Sequence, residues 1–199
     1  LLFEVDARLD AKGNEVTSLD QAQLQQLQQQ ITRAQPEAIA INLLFSFIND
    51  AHERQIEELF SQHYFVSRSS FVLPEYREYE RGIVTWVNAW IGPLIEQYML
   101  SVKDILAPST VSIMQSSGIP IAADQAAKRA VNLLLSGPAG GLSAARMFQP
   151  SNLITFDMGG TSTDVSLLTG GIRLSSESVV ADLPIAVPMA DIHTIGAGG

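Results

Sequence analysis

An α/β chain, with a mixed sheet flanked by helices, is the fold class this 199-residue sequence predicts, on three observations. Apolar runs of strand length alternate with segments of helical period from Ala38 to Phe148. From Leu153 onward, short alternating segments joined by glycine turns suggest an antiparallel meander. Hydrophobic residues make up 46% of the chain and charged residues 17%, enough apolar surface to bury a core and well outside the disordered regime.

The elements follow in order. Leu2–Leu9 alternates weakly into the turn signal Lys12-Gly13-Asn14, and Glu15–Thr17 returns, which reads as a hairpin with a strand already under way at Leu1–Val5. Ser18 and Gln21 have capping-box spacing, and Leu24, Leu27 and Ile31 share one helical face before Pro36 ends the helix. That spacing makes the glutamine-rich stretch Gln21–Gln30 a solvated helix face. Ala38–Leu44 reads as a buried strand, Asn49 as the cap of a second helix with Ile56, Leu59, Phe60 and His63 inward, and Tyr64–Val66 as a strand. Ser69–Pro74 is a connector. A long helical pattern runs from Ile83 to Val102, with Gly92-Pro93 predicting a kink or two abutting helices. Thr110–Met114 is a strand and Asp124 opens a short helical turn. Ser136-Gly137-Pro138 starts a helix to about Phe148. Leu153–Asp157, Asp164–Leu168 and Ile172–Ser176 complete the meander.

Composition narrows the chemistry. A net charge of −9 disfavours a phosphate backbone as partner, so nucleic acid is not expected, and any nucleotide must be held by backbone N–H groups and a metal ion. The absence of cysteine removes disulfides, thiolate catalysis and iron–sulfur ligation. No apolar run reaches the ~18 residues that span a bilayer, and no leader is visible. A cytoplasmic setting is the expectation. Leu1 without an initiator Met, and the closing Gly196–Gly199 run, read as cuts from a longer polypeptide.

The segment that carries chemistry is Asp157-Met158-Gly159-Gly160-Thr161-Ser162-Thr163-Asp164. It sets a carboxylate at the end of one strand and another at the start of the next. Gly159 and Gly160 let a phosphate approach the backbone, successive N–H groups can form an anion-binding nest, and Thr161, Ser162 and Thr163 add hydroxyls. Asp157 and Asp164 are the candidate catalytic carboxylates and Mg²⁺ ligands. A plain hairpin with Gly-Gly at its tip is the competing reading, but it requires neither the two aspartates nor the three hydroxyls.

Phe156–Val165 resembles the second phosphate-binding motif of the hydantoinase A/5-oxoprolinase/acetone carboxylase family, within the actin, hexokinase and 70-kDa heat-shock superfamily. Glu78–Arg81, Val87–Ala89, Ile113–Ser116, Leu135–Gly140 and Asp191–Gly199 are similar to further family blocks, in family order, so the resemblance covers essentially the whole chain. It implies an actin-like, ribonuclease H-like ATPase fold, present here incompletely. Residues 1–75 would belong to the first lobe or the N-terminal hydantoinase/oxoprolinase region, and 76–199 to the start of the hydantoinase A/oxoprolinase domain. It further implies use of ATP and Mg²⁺ to phosphorylate a cyclic amide or related carbonyl oxygen, activating the carbon for hydrolysis or carboxylation, together with a hydantoinase B-type subunit or domain. The family's first phosphate turn, Gly-x-Asp-x-Gly-Gly-Thr-x-Thr-Asp, does not occur before residue 157, so half of the ATP clamp would lie outside this chain and the isolated piece would be inactive. Ser117-Gly118-Ile119-Pro120 and Ala130 depart from the family pattern locally.

Other candidates each carry a plainer alternative. Gly137 and Gly140, at a helix start, and Gly196 and Gly198 are candidate nucleotide or substrate contacts, or simply glycines of close packing and of a turn. Asp191 and His193, two apart, would share one face of a strand as candidate metal ligands or as a surface pair. His52 and His63 read as structural, Glu78, Glu80 and Arg81 as helix-start charges, and Trp86 and Trp90 as core or lobe interface. A small-molecule kinase, a non-enzymatic ATPase switch and an inactive structural fragment are the competing classes.

Overall fold

A computed structural model describes residues 1–148 and 152–196. The described chain divides into two compact units, Leu1–Leu94 with Asp182–Ala186, and Ile95–Ala181 with Val187–Gly199. The division falls within a helix, between Leu94 and Ile95.

The first unit begins with β1 (Arg8–Leu9) and β2 (Glu15–Thr17), an irregular antiparallel pair far shorter than the expected hairpin. The Asp10 carboxylate sets this turn by accepting from the N–H groups of Lys12 and Asn14, while Gly13 takes the left-handed φ of 80° that glycine tolerates. Leu1–Val5 is not a strand. Helix α1 (Gln21–Ala34) is capped by Asp20, whose Oδ1 accepts from Gln23 N at 2.8 Å, rather than by Ser18. Gln35 turns left-handed and ends the helix before Pro36. Leu24, Leu27 and Ile31 of α1 pack with Ile39 and Ile41 of β3 (Ala38–Ile41) and with Ile56 and Phe60 of α2 (Ala51–Phe60). His63, expected inward, is exposed. Strand β4 (Phe65–Arg68) pairs in parallel with β3, and α3 (Ser69–Val72) follows.

Two wholly buried charges organise the loop after β3. Glu53 accepts from Leu43 N and Ser69 Oγ through one oxygen, and from Ser70 N and Ser70 Oγ through the other. Arg81 donates to the carbonyls of Leu43 and Glu75, to Asn42 Oδ1 and to Glu78 Oε1. Both backbone groups of Leu43 are thus held by opposite charges. A buried ion is tolerable only when so fully hydrogen-bonded.

Helix α4 (Glu78–Leu106) runs unbroken for 29 residues, in place of the expected interruption at Gly92-Pro93. Glycine before proline has no Cβ to clash with the ring, so the helical conformation survives there. Glycine is also demanded sterically, since a Cβ at position 92 would lie 2.2 Å from the Phe65 ring. Trp86 and Trp90 stack with centroids 5.7 Å apart but are 49% and 70% exposed, so they are not core residues of this unit.

In the second unit, β5 (Ser112–Met114) and β6 (Pro120–Ala122) form an antiparallel pair, followed by α5 (Ala123–Lys128), a 3-10 turn (Ala130–Leu133) and α6 (Ser136–Arg146). Strands β7 (Asn152–Met158) and β8 (Thr163–Thr169) pair antiparallel as expected. The meander then fails. β9 (Leu174–Ser175) does not join β8. After β10 (Ser178–Val180) and β11 (Leu183–Ile185), the latter belonging to the first unit, the strand that β9 pairs with is β12 (Met189–Ala190), and the third strand beside β8 is β13 (His193–Ile195). Ala139 and Leu142 of α6 pack with Leu153 of β7 and Leu168 of β8, covering one face of this sheet.

Candidate functional site

The phosphate-turn candidate is the tip of the β7–β8 hairpin. The ladder runs to Met158↔Thr163, and Gly159 N–H donates to Ser162 O at 2.9 Å, leaving Gly160 and Thr161 at the apex. Among the described residues, the N–H groups of those two make no hydrogen bond. One N–H of the expected nest, that of Gly159, is therefore already engaged. Gly160 is not in the left-handed region, and a Cβ added to it would meet no atom within 4 Å.

The register brings the two carboxylates together. Asp157 and Asp164 are direct cross-strand partners, and Asp164 is in turn the partner of Thr194 on β13. Residues directly opposite one another share a sheet face, with Cβ atoms ~4.5–5.5 Å apart. Asp157, Asp164 and Thr194 therefore stand in one row, on the same face as Leu153 and Leu168 under α6. Thr194 Oγ1 donates to Asp164 Oδ1 at 2.6 Å. Asp157 is exposed and Asp164 half-buried, and neither forms an ion pair among the described residues.

Thr163 is buried on the opposite face, one step out of phase with Asp164. Thr161 is exposed and Ser162 half-buried at the tip. His193 opposes Val165, also on the other face, while Asp191 precedes the strand and donates its N–H to Arg173 O. The two do not share a strand face as expected, and no group of three or more metal-ligating side chains assembles among the described residues. Gly137 and Gly140 lie in the first half of α6, and a Cβ there would meet nothing closer than Met114 Cγ at 3.7 Å from Gly140. Gly196 follows β13 in a bend, and Gly198 lies outside the described residues. His52 is buried with Nε2 2.7 Å from Glu15 Oε2, a structural role as expected. An apolar groove of about 650 Å³ is lined by Ile31, Ile39, Trp86 and Trp90 among others, and by none of the turn's residues.

Sequence reasoning missed Thr194 and Glu53, and took Arg81 only for a helix-start charge. For Thr194 the signal lay in its place between two flagged residues, but only strand pairing reveals what it touches. Nothing in the helical pattern singles out Glu53, and only tertiary packing buries it and Arg81.

A mixed α/β fold with paired aspartates flanking a glycine hairpin defines the class, and it is consistent with the actin-like ATPase fold. The Hydantoinase/oxoprolinase family model matches residues 81–199, and that of the Hydantoinase/oxoprolinase N-terminal region matches residues 1–64. The chain belongs to the hydantoinase/oxoprolinase family. It is 33% identical to caprolactamase subunit alpha of Pseudomonas jessenii over 98% of its own length and 30% of the relative's. The crystal structure of ATP-dependent caprolactamase from that organism superposes with a TM-score of 0.83, at 32% identity, over 98% of this chain and 30% of that one. 5-oxoprolinase 1 of Arabidopsis thaliana is 35% identical over 81% of this chain and 13% of the relative. The nucleotide-free structure of acetone carboxylase, an enzyme of ATP-dependent acetone carboxylation, shares the fold with a TM-score of 0.77 at 24% identity, over 98% of this chain and 29% of that one. The chain thus spans about a third or less of the length of these relatives. No helix among the described residues is long and apolar enough to cross a membrane.

Proposed function

We propose that this chain supplies one jaw of an ATP clamp in an enzyme that phosphorylates a cyclic amide or related carbonyl oxygen. The observation that carries this reading is the row formed by Asp157 and Asp164 across the hairpin, beside a tip where nothing among the described residues demands glycine at position 160. Like charges directly opposite on a sheet destabilise it. Two carboxylates that form no ion pair among the described residues are hard-oxygen donors of the kind Mg²⁺ takes. Asp157 and Asp164 would hold the metal, and it would neutralise charge on the phosphoryl oxygens. Gly159 and Gly160 admit the phosphate to the backbone, the N–H groups of Gly160 and Thr161 donate to it, and Thr161 and Ser162 flank it. Phosphorylation turns an amide oxygen from a poor leaving group into a good one, which ties this site to the chemistry in the relatives' names.

The substrate class, a cyclic amide, is supported by the caprolactamase and 5-oxoprolinase relatives. A second subunit or domain of hydantoinase B type is supported by the subunit designation of the caprolactamase relative, and a cytoplasmic setting by the need for ATP. Titration calorimetry of Mg·ATP and Mg·ADP into the full-length protein tests the proposal. Binding is expected, and Asp164→Ala should abolish it. Asp157→Ala or Asp164→Ala should lower ATP turnover at least ~10²-fold, since lost metal positioning costs several kcal/mol. No binding by the wild type would leave the turn as a plain hairpin.

A further inference from the structure

We infer that Thr194 is a positioning residue for the nucleotide's metal ion, acting through Asp164. The inference rests on the ATP-clamp reading above. Its basis is the third place in the cross-strand row, where Thr194 stands directly opposite Asp164 and its Oγ1 lies 2.6 Å from Asp164 Oδ1. An ionised carboxylate only accepts hydrogen bonds, so the threonine hydroxyl is the donor, and its single proton is committed to that oxygen. The bond fixes the carboxylate's rotation and engages one lone pair of Oδ1, which leaves Oδ2 with both of its lone pairs for a cation shared with Asp157.

Two features argue that this contact does more than close the sheet. Thr194 is exposed, so its hydroxyl could be satisfied by water and is not forced onto Asp164 by burial. The ladder between β8 and β13 already holds the strands through three consecutive pairs, His193↔Val165, Thr194↔Asp164 and Ile195↔Thr163. Threonine suits the role because its β-branched side chain is stiff about χ1 on a strand and aims the hydroxyl without a large entropic loss. Hydrogen-bond partners of ligating carboxylates typically tune metal affinity by 10–100-fold.

The test uses the full-length protein and Mn²⁺ as the probe ion, with its binding in the presence of ADP read by electron paramagnetic resonance. Thr194→Val keeps the branched shape and removes the donor. Thr194→Ser keeps the donor. The valine variant is expected to weaken Mn²⁺ binding about 10-fold or more, with a melting temperature close to that of the wild type, while the serine variant retains most of the affinity. Wild-type Mn²⁺ affinity in the valine variant would overturn the inference and leave the ATP reading standing. Equal weakening in both variants would overturn it as well, because shape rather than the hydroxyl would then be responsible. If the wild type itself bound no Mn²⁺ with ADP, the ATP reading would fall, and this inference with it.

Discussion

Replacing Glu53 by glutamine exchanges one oxygen for an NH₂ group in a fully buried side chain, and the structure specifies the consequence. The carboxylate meets four donors, two backbone N–H groups and two serine hydroxyls, at 2.6–2.9 Å. A glutamine offers one oxygen and one NH₂ group. Whichever way the amide is turned, its nitrogen faces a serine hydroxyl and a backbone N–H. The serine can rotate its proton away and accept, but Leu43 N–H or Ser70 N–H cannot. One buried backbone donor is therefore left unmet, at about 1–3 kcal/mol, and the remaining bonds lose their charge assistance. A cost of about 2–3 kcal/mol corresponds to a fall of roughly 4–12 °C in melting temperature for a chain of this size. Glu53→Ala removes all four acceptor contacts and opens a cavity, so its loss should be larger, about 4 kcal/mol or more. Thermal unfolding followed by circular dichroism measures both, with Glu58→Gln on the exposed face of the same helix as the reference. A Glu53→Gln variant melting within about 1 °C of that reference would refute the claim that this carboxylate organises the loop after β3.

Two further outcomes follow from the geometry. Gly160→Val should fold with nearly unchanged melting temperature, since the added atoms meet nothing within 4 Å at Cβ, yet should lose Mg·ATP affinity in calorimetry by filling the space beside the apex. Unchanged nucleotide affinity would make the turn purely structural. Burial raises the Asp50 pKa, but hydrogen bonds from Arg54 and Arg68 outweigh it and hold the group below the ordinary carboxylate value. A depressed folded-state pKa contributes stability that is present above the unfolded value of about 3.9 and is lost as pH falls through the folded one. The wild type should therefore lose melting temperature more steeply below about pH 4 than Asp50→Asn does, and parallel curves would contradict the assignment.

What the sequence determined by itself was local. The α1 face at Leu24, Leu27 and Ile31, the β7–turn–β8 hairpin and the aspartates at its two ends were all legible, because helical period, strand length and glycine punctuation act over a few residues. The family resemblance was legible for the same reason, being carried by short blocks in order. Wherever the outcome depended on a partner distant in the chain, tertiary structure decided. The third strand of the hairpin's sheet came from His193–Ile195 rather than Ile172–Ser176, since alternation shows that a segment can pair but not with which neighbour. Helix α4 continued through Pro93, with position 92 closed to any side chain by Phe65. Glu53 and Arg81 became buried anchors, and Thr194 a partner of Asp164, because desolvation and cross-strand register exist only once the chain has folded.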